Sequence, residues 1–92
     1  MERKNHIDDD IMNRLSRIEG QIRGIKDMGN EGRSCSEILT QLSAVQSALR
    51  QVSKLIVMDH LEHCVVRGIQ DGELDTTIDD MSKVIDQFSR MK

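Results

Sequence analysis

Two cysteines and one histidine are the residues of this chain best suited to bind a soft metal ion or to react with sulfur. His60 and Cys64 are four positions apart, so on a helix they would point to the same side, with Cβ atoms about 5 to 6 Å apart. Cys35 precedes Cys64 by 29 positions, which is roughly 43 Å along one continuous helix at about 1.5 Å per residue. The two cysteines cannot meet within one such helix. Two antiparallel copies would bring Cys35 of one subunit beside His60 and Cys64 of the other.

Two thiolates and one imidazole form a three-coordinate set that favours Cu(I). Zn(II) usually takes a fourth ligand, which His63 or Glu62 could supply, so zinc is an alternative. A free cysteine by itself is more often a small buried apolar residue than a ligand. His63 lies about 100° around a helix from Cys64, which favours a solvated or capping role, and we interpret His6 as incidental. The trio taken together favours a shared site.

The composition indicates one small domain that must complete its core by self-association. The chain has 92 residues, one Phe, no Trp or Tyr, and 37% apolar residues. A chain of this size buries a modest fraction of its surface, and no dense disulfide pattern compensates. Two cysteines, without an apolar signal segment or an apolar run near 20 residues, predict a cytoplasmic protein with free thiols and no membrane contact.

Apolar spacing near 3.6 and the absence of Pro predict an all-α domain over residues 10–92, preceded by a mobile arm over residues 1–9. The first helix carries apolar residues in steps of three and four and should end before the turn that starts at Gly29. These apolar residues are Ile11, Leu15, Ile18, Ile22 and Ile25.

The second helix should begin at Ser34 or Ser36, and Glu37 completes a capping box if Ser34 is the cap. It should end near Gly68 or Gly72. Its apolar seam is Cys35, Ile38, Leu42, Val45, Leu49, Val52 and Ile56. Because average helices have about 11 to 12 residues, a helix this long is expected to pair with its own copy.

Antiparallel pairing of this helix fixes the position of its two-fold axis. If position 35 is matched with positions 60 to 64, the axis falls near positions 48 to 50, so Leu49 should pack near its symmetry mate. A third helix is expected over about 75 to 90. Its apolar face consists of Ile78, Met81, Ile85 and Phe88.

The charges of this chain are unevenly distributed, although the net charge is -3. Arginines and lysines are frequent between residues 11 and 33, whereas carboxylates dominate between residues 70 and 86. The acidic total therefore does not exclude DNA binding, because a local basic surface is sufficient.

Three stretches of the sequence carry a family resemblance. They are RLSRIEGQIRGI at 14–25, Cys35 followed by ILTQLSAV at 38–45, and DHLEHCV at 59–65. With these stretches the chain resembles the CsoR/RcnR-type family of copper-sensing and nickel/cobalt-sensing repressors, most closely its copper-sensing branch, over about residues 10 to 90. The resemblance implies a three-helix all-α subunit, an antiparallel four-helix-bundle dimer, and a dimer of dimers, that is, a homotetramer.

The same resemblance implies a non-enzymatic transcriptional repressor that binds operator double-stranded DNA. Release of the DNA would follow when Cu(I) occupies Cys35, His60 and Cys64. In this family a His in place of Cys64 would imply nickel or cobalt, and a non-ligand there would imply formaldehyde. Copper sensors carry a Tyr before the first Cys and a Glu in the third helix. This chain has Ser34 and Asp80 there, and Asp80 is the predicted outer partner of His60.

The resemblance also assigns DNA phosphate contacts to basic residues of the first two helices. These are Arg14, Arg17, Arg23, Arg50 and Lys54.

Three alternative functions stay open at this point. Persulfide-sensing relatives keep both cysteines and switch by a sulfur bridge between Cys35 and Cys64 of two subunits, without a metal. A metal-buffering module would keep the trio and need no basic surface. A Cys-His hydrolase or transferase, with His60 activating Cys64, is disfavoured because nothing in the sequence resembles an oxyanion hole or a substrate cleft.

Overall fold

The computed structural model describes residues 7–91, which form three α-helices and no strand in that range. The helices are α1 (Asp9–Asn30), α2 (Cys35–Asp71) and α3 (Leu74–Arg90). The prediction of an all-α fold with three helices is confirmed. Residues 1–6 of the predicted arm, including His6, lie outside the described residues. No helix within residues 7–91 has the length and apolar character needed to cross a membrane.

Helix α1 begins one residue earlier and ends two residues later than predicted. Asp8 caps its N-terminus by accepting a hydrogen bond from the Ile11 main-chain N–H at 2.9 Å. At the other end Gly29 and Asn30 stay helical, and the residue with a left-handed backbone is Gly32, at φ 72°. Of the glycines at this turn, Gly32 is therefore the one whose conformational freedom is required. Helix α1 therefore continues through Gly29, before which it was expected to end.

Ser34 is the N-cap of α2, as the capping box predicts. Its Oγ accepts a hydrogen bond from the Glu37 main-chain N–H at 3.1 Å and donates one to Glu37 Oε1 at 3.2 Å. Arg33 Nε donates to Glu37 Oε2 at 2.7 Å. The hydrogen bond and positive charge of Arg33 lower the pKa of the Glu37 carboxyl from its ordinary value of 4.5. These hydrogen bonds hold Ser34, the residue directly before Cys35, in place.

Packing divides the chain into two compact units. The N-terminal unit is Ile7–Val52, and the C-terminal unit contains Ser53–Lys92, so α2 contributes to both. Among residues 7–91, the buried apolar side chains belong to the N-terminal unit: Ile11, Ile18, Val45 and Val52. The single domain over residues 10–92 stays a prediction.

The predicted seam of α2 separates into two stripes within the N-terminal unit. Val45 and Val52 are buried, with 6% and 4% of their surface exposed. Leu42 and Leu49 are 40% and 42% exposed, and Cys35 is exposed as well. These three exposed residues are seven positions apart, a spacing that keeps them on one side of a helix. One stripe of the seam packs within the chain, and the Cys35–Leu42–Leu49 stripe stays on the surface.

The apolar face predicted for α3, which belongs to the C-terminal unit, also contains both half-buried and exposed residues. Met81 and Phe88 are half-buried, whereas Ile78 and Ile85 are exposed. The half-buried residues of α3 are Thr77, Met81, Val84 and Phe88. Ile78 and Ile85 of the predicted face therefore stay on the surface of the single chain.

Candidate metal centre

His60, Cys64 and Asp80 line one cavity of about 240 Å³ in the C-terminal unit. The first two residues come from α2 and the third from α3. Spacing of four residues places His60 and Cys64 on the same side of α2, one turn apart. The structure therefore brings two members of the sequence-predicted trio to the same cavity as the predicted outer partner.

Cys64 is a free, half-buried cysteine that faces α3. Its Sγ lies 3.9 Å from the main-chain oxygen of Thr77, toward which the thiol donates a long hydrogen bond. Sulfur hydrogen bonds are weak, so this contact orients the side chain more than it stabilises the fold.

His60 is half-buried and lines a second, more apolar cavity as well. That cavity has a volume of about 310 Å³ and is lined by residues including Val57, Val84 and Phe88. The Nε2 atom of His60 is buried. The imidazole thus lies among side chains of both α2 and α3.

His63 faces its own helix. Its Nδ1 lies 2.8 Å from the main-chain oxygen of Asp59 and 3.5 Å from Asp59 Oδ1. Because a carbonyl oxygen can only accept, Nδ1 carries the hydrogen and donates it. His63 also lines the cavity that contains His60 and Cys64, so its role as a fourth zinc ligand stays an alternative.

Cys35 belongs to the N-terminal unit, in contrast to His60 and Cys64. It is the first residue of α2 and is exposed. The hydroxyl of the preceding Ser34 is used by the helix cap. Within the part of the chain that the structure describes, no group of three or more His, Cys, Asp or Glu side chains is arranged to hold a metal ion. The single chain therefore does not assemble the complete trio.

The predicted DNA-contact arginines of α1 lie on different sides of the helix. Arg14 and Arg17 are three positions apart, about 60° around the axis, whereas Arg23 is about half a turn from Arg14. Arg14 Nε donates a hydrogen bond to Asp10 Oδ2 at 3.1 Å. Arg23 lies 3.6 Å from Glu19. One straight face of α1 therefore cannot present all three guanidinium groups.

The predicted contacts on α2 differ in exposure and in the unit to which they belong. Arg50 is exposed and belongs to the N-terminal unit, and Lys54 is exposed and belongs to the C-terminal unit.

Several residues of the cavity were not assigned to the site from the sequence, among them Arg67, Gly68 and Thr77. Arg67 brings a positive charge to the lining, and Gly68 and Thr77 line it where α2 approaches α3. Gly68 carried a signal, since a glycine in a helix often marks a close approach of another backbone. Nothing in the periodicity distinguishes Arg67 or Thr77 from other surface residues.

Comparison with known proteins identifies the family of this chain. The family described as metal-sensitive transcriptional repressor matches residues 7–87, which is most of the chain. The chain belongs to this family. Its members are transcriptional regulators rather than enzymes.

Individual relatives of this metal-sensitive repressor respond to different metals. The chain is 43% identical over 82 residues to the copper-sensing transcriptional repressor CsoR of Bacillus subtilis (strain 168), covering 89% of this chain and 81% of that protein. It resembles the crystal structure of the copper-sensing repressor CsoR with Cu(I) from Geobacillus thermodenitrificans NG80-2, with a TM-score of 0.81 and 40% identity, covering 98% and 94% of the two chains. It resembles the nickel-responsive transcriptional regulator InrS equally, with a TM-score of 0.81, 38% identity and coverage of 94% and 99%.

Proposed function

We propose that this chain is a Cu(I)-responsive repressor that releases operator DNA when Cu(I) binds between two subunits. The ligands are His60 and Cys64 of one subunit and Cys35 of the other. The observation that carries this proposal is that His60 and Cys64 share one cavity while Cys35 lies on an exposed stripe of α2. The resemblance to copper-sensing relatives supports the choice of metal.

The donor set fits Cu(I) on chemical grounds. Two thiolates and one imidazole are soft ligands, and a three-coordinate arrangement suits Cu(I) better than Zn(II), which usually takes four ligands. His63, the alternative fourth ligand, has its Nδ1 atom 2.8 Å from the main-chain oxygen of Asp59. Bound copper would join two subunits through three side chains and so couple metal binding to subunit arrangement.

The exposed stripe supports a second copy of this chain as the partner that completes the site. Leu42 and Leu49 follow Cys35 along the surface of α2, and large apolar side chains in a row favour burial. An antiparallel partner with its axis near Leu49 covers this row and brings its own His60 and Cys64 to Cys35. Pairing of two such dimers into a homotetramer is part of the same proposal.

Operator binding is assigned to the exposed cations of α1 and α2. Arg14, Arg17 and Arg50 lie within the N-terminal unit, and Lys54 lies just beyond it. Arg23 stays a candidate on another side of α1. Guanidinium and ammonium groups contact phosphates without reading bases, so the affinity should fall steeply with salt.

Anaerobic titration of the reduced protein with Cu(I) tests the proposal directly. Fluorescence anisotropy of labelled promoter DNA should report release near one Cu(I) per subunit. The Cys64→Ala variant should stay bound to DNA at every Cu(I) concentration, and His63→Ala, the matched control one position away, should respond like the parent. Release by Zn(II) but not by Cu(I) would contradict the choice of metal.

A persulfide-sensing repressor is the second candidate. The observation that favours it is the position of Ser34, whose hydroxyl is engaged with Glu37. This position therefore does not supply the outer partner that a Tyr provides in copper sensors.

In the persulfide mechanism, the Cys64 thiolate takes the outer sulfur of a persulfide donor, and the thiolate of the donor leaves. Cys35 of the other subunit then attacks the Cys64 sulfur, which forms a disulfide and releases hydrosulfide.

His60→Ala separates the two candidates. Two sulfurs still hold Cu(I), so the copper mechanism predicts a variant that binds the metal and keeps the DNA. The persulfide mechanism predicts that parent and variant both release DNA with a persulfide donor, because both sulfurs remain. If persulfide and not Cu(I) released DNA from both proteins, persulfide would be the inducer. The assignment of the chain as a repressor would still hold.

A further inference from the structure

Cys64, Gly68 and Thr77 form a close crossing of α2 and α3, which we call the 64–68–77 crossing. Cys64 and Gly68 lie one turn apart on the same side of α2. Both face Thr77 on α3. All three residues belong to the C-terminal unit and line the cavity of the candidate metal centre. A proposed inducer ligand is therefore in direct contact with the third helix.

Gly68 permits this crossing because it has no side chain. It is buried, and a Cβ atom built on it would lie 2.9 Å from both Cβ and Cγ2 of Thr77. The carbonyl of Gly68 also accepts hydrogen bonds from the main-chain N–H groups of Gly72 at 2.9 Å and Glu73 at 3.2 Å. The same residue thus closes α2 and seats α3 against it.

Thr77 is held firmly at this crossing. Its main-chain N–H and its hydroxyl both donate to the carbonyl of Glu73, at 3.0 Å and 2.8 Å. A β-branched side chain has few accessible χ1 rotamers, so its methyl and hydroxyl cannot easily turn away from Gly68. The packing of the Thr77 side chain on Gly68 therefore sets where the Thr77 carbonyl lies relative to Cys64.

We propose that Thr77 is the positioning residue through which inducer binding at Cys64 reaches α3. This inference rests on the proposed function. Without inducer, the Cys64 thiol donates to the Thr77 carbonyl. Cys64 would hold Cu(I) as a thiolate, with its proton released to solvent, so the contact with the Thr77 carbonyl would lose its donor. The sulfur then faces a carbonyl oxygen of like partial charge, so α3 shifts away from α2 at this point.

Thr77→Ala tests the coupling because it opens the crossing while keeping every proposed ligand. The quantity to measure is the ratio of operator Kd with and without Cu(I). Allosteric ratios are commonly about 5- to 150-fold, and we expect this one to fall about tenfold in Thr77→Ala. Operator affinity without Cu(I), and Cu(I) affinity by competition with a chelator, should both match the parent.

Thr40→Ala is the matched control. The Thr40 hydroxyl makes the same type of bond, to the Ser36 carbonyl at 2.9 Å, but in the N-terminal unit. It should leave the ratio unchanged. Thr77→Val preserves the shape of the side chain and should retain most of the coupling, because packing against Gly68 transmits the motion. Equal coupling in Thr77→Ala, Thr77→Val and the parent would overturn the inference.

Hydrogen exchange of the parent protein tests the same inference without any substitution. Main-chain amides in the first turns of α3 should exchange faster after Cu(I) is added, since the crossing loosens. Unchanged exchange in a parent that does release DNA would also overturn the inference. Failure of the parent to release DNA with Cu(I) would instead overturn the proposed function, so the two failures are distinguishable.

Discussion

Arg14, a proposed phosphate contact, forms an exposed ion pair with Asp10. Their side chains are 40% and 66% exposed, so the ion pair contributes little to the stability of α1. The guanidinium can therefore exchange the carboxylate for a phosphate at small cost. Arg14 is thus available to DNA although it is paired within the chain.

Arg14→Ala should weaken operator binding and reduce its dependence on salt. Removing one charged group that neutralises a phosphate lowers the slope of log K against log salt concentration by about 0.9. Anisotropy titrations at several salt concentrations measure both quantities. Arg23→Ala is the informative comparison, since Arg23 points about half a turn away from Arg14. If Arg14→Ala kept the salt slope of the parent, the DNA-binding surface would not include Arg14.

The Glu37 carboxyl is predicted to titrate at a pH below its ordinary range. Arg33 lowers the pKa of Glu37 in the folded protein, so the interaction is complete above pH 4.5 and disappears as the pH falls through the lowered pKa. Arg33→Gln should return the pKa toward 4.5, as followed by NMR of the Glu37 side chain. Arg23→Gln should leave it unchanged. A pKa unaffected by Arg33→Gln would assign the shift to another cause.

At the scale of helices, Gly68→Ala should destabilise the protein. Alanine favours a helix interior over glycine by about 0.5 to 1 kcal/mol, whereas overpacking costs about 1 to 3 kcal/mol. The second effect should prevail, with a net loss near 1 kcal/mol, because the new methyl group would meet Thr77. Urea denaturation at constant subunit concentration measures the change.

Gly24→Ala serves as the control for this substitution. Gly24 lies inside α1, and a Cβ there would meet nothing within 4 Å. It should raise stability by about 0.5 to 1 kcal/mol, since only helix propensity changes. If Gly68→Ala stabilises the protein to the same extent, α3 does not approach α2 as closely as described.

For the whole molecule, the exposed stripe of α2 predicts where two copies associate. Leu49→Lys places a charge at the centre of the proposed interface, and burying an unpaired ammonium is costly. Analytical ultracentrifugation should therefore show dissociation toward single subunits. Gln51→Lys adds the same charge on about the opposite side of α2 and should leave the assembly intact. An unchanged assembly in Leu49→Lys would place the interface on another surface.

Mixing two inactive variants tests whether the metal site spans subunits. Neither the Cys35→Ala nor the Cys64→Ala homodimer holds a complete site, but a mixed dimer restores one site and lacks the other. Anaerobic Cu(I) titration of the refolded mixture should recover high-affinity binding. Mixing Cys35→Ala with the double variant lacking both cysteines is the control and should recover none. Recovery in neither mixture would contradict the arrangement of ligands across subunits.

The sequence determined the features that depend on neighbours along the chain. Helix positions, the Ser34 cap and the shared side of His60 and Cys64 follow from contacts three or four residues apart, which the local sequence specifies. The end of α1 was less predictable, because Gly29 and Gly32 could each stop a helix and the hydrogen bonds of the turn selected Gly32.

Tertiary structure alone decided which sides of the helices face each other. Periodicity shows which side of a helix is apolar but not what that side packs against. It therefore could not show that Val45 is buried while Leu49 stays exposed. Gly68 and Thr77 are nine positions apart and meet only because α3 folds back onto α2. Such contacts depend on the angle and depth at which whole helices pack, and these follow from the combined fit of many side chains rather than from any local pattern.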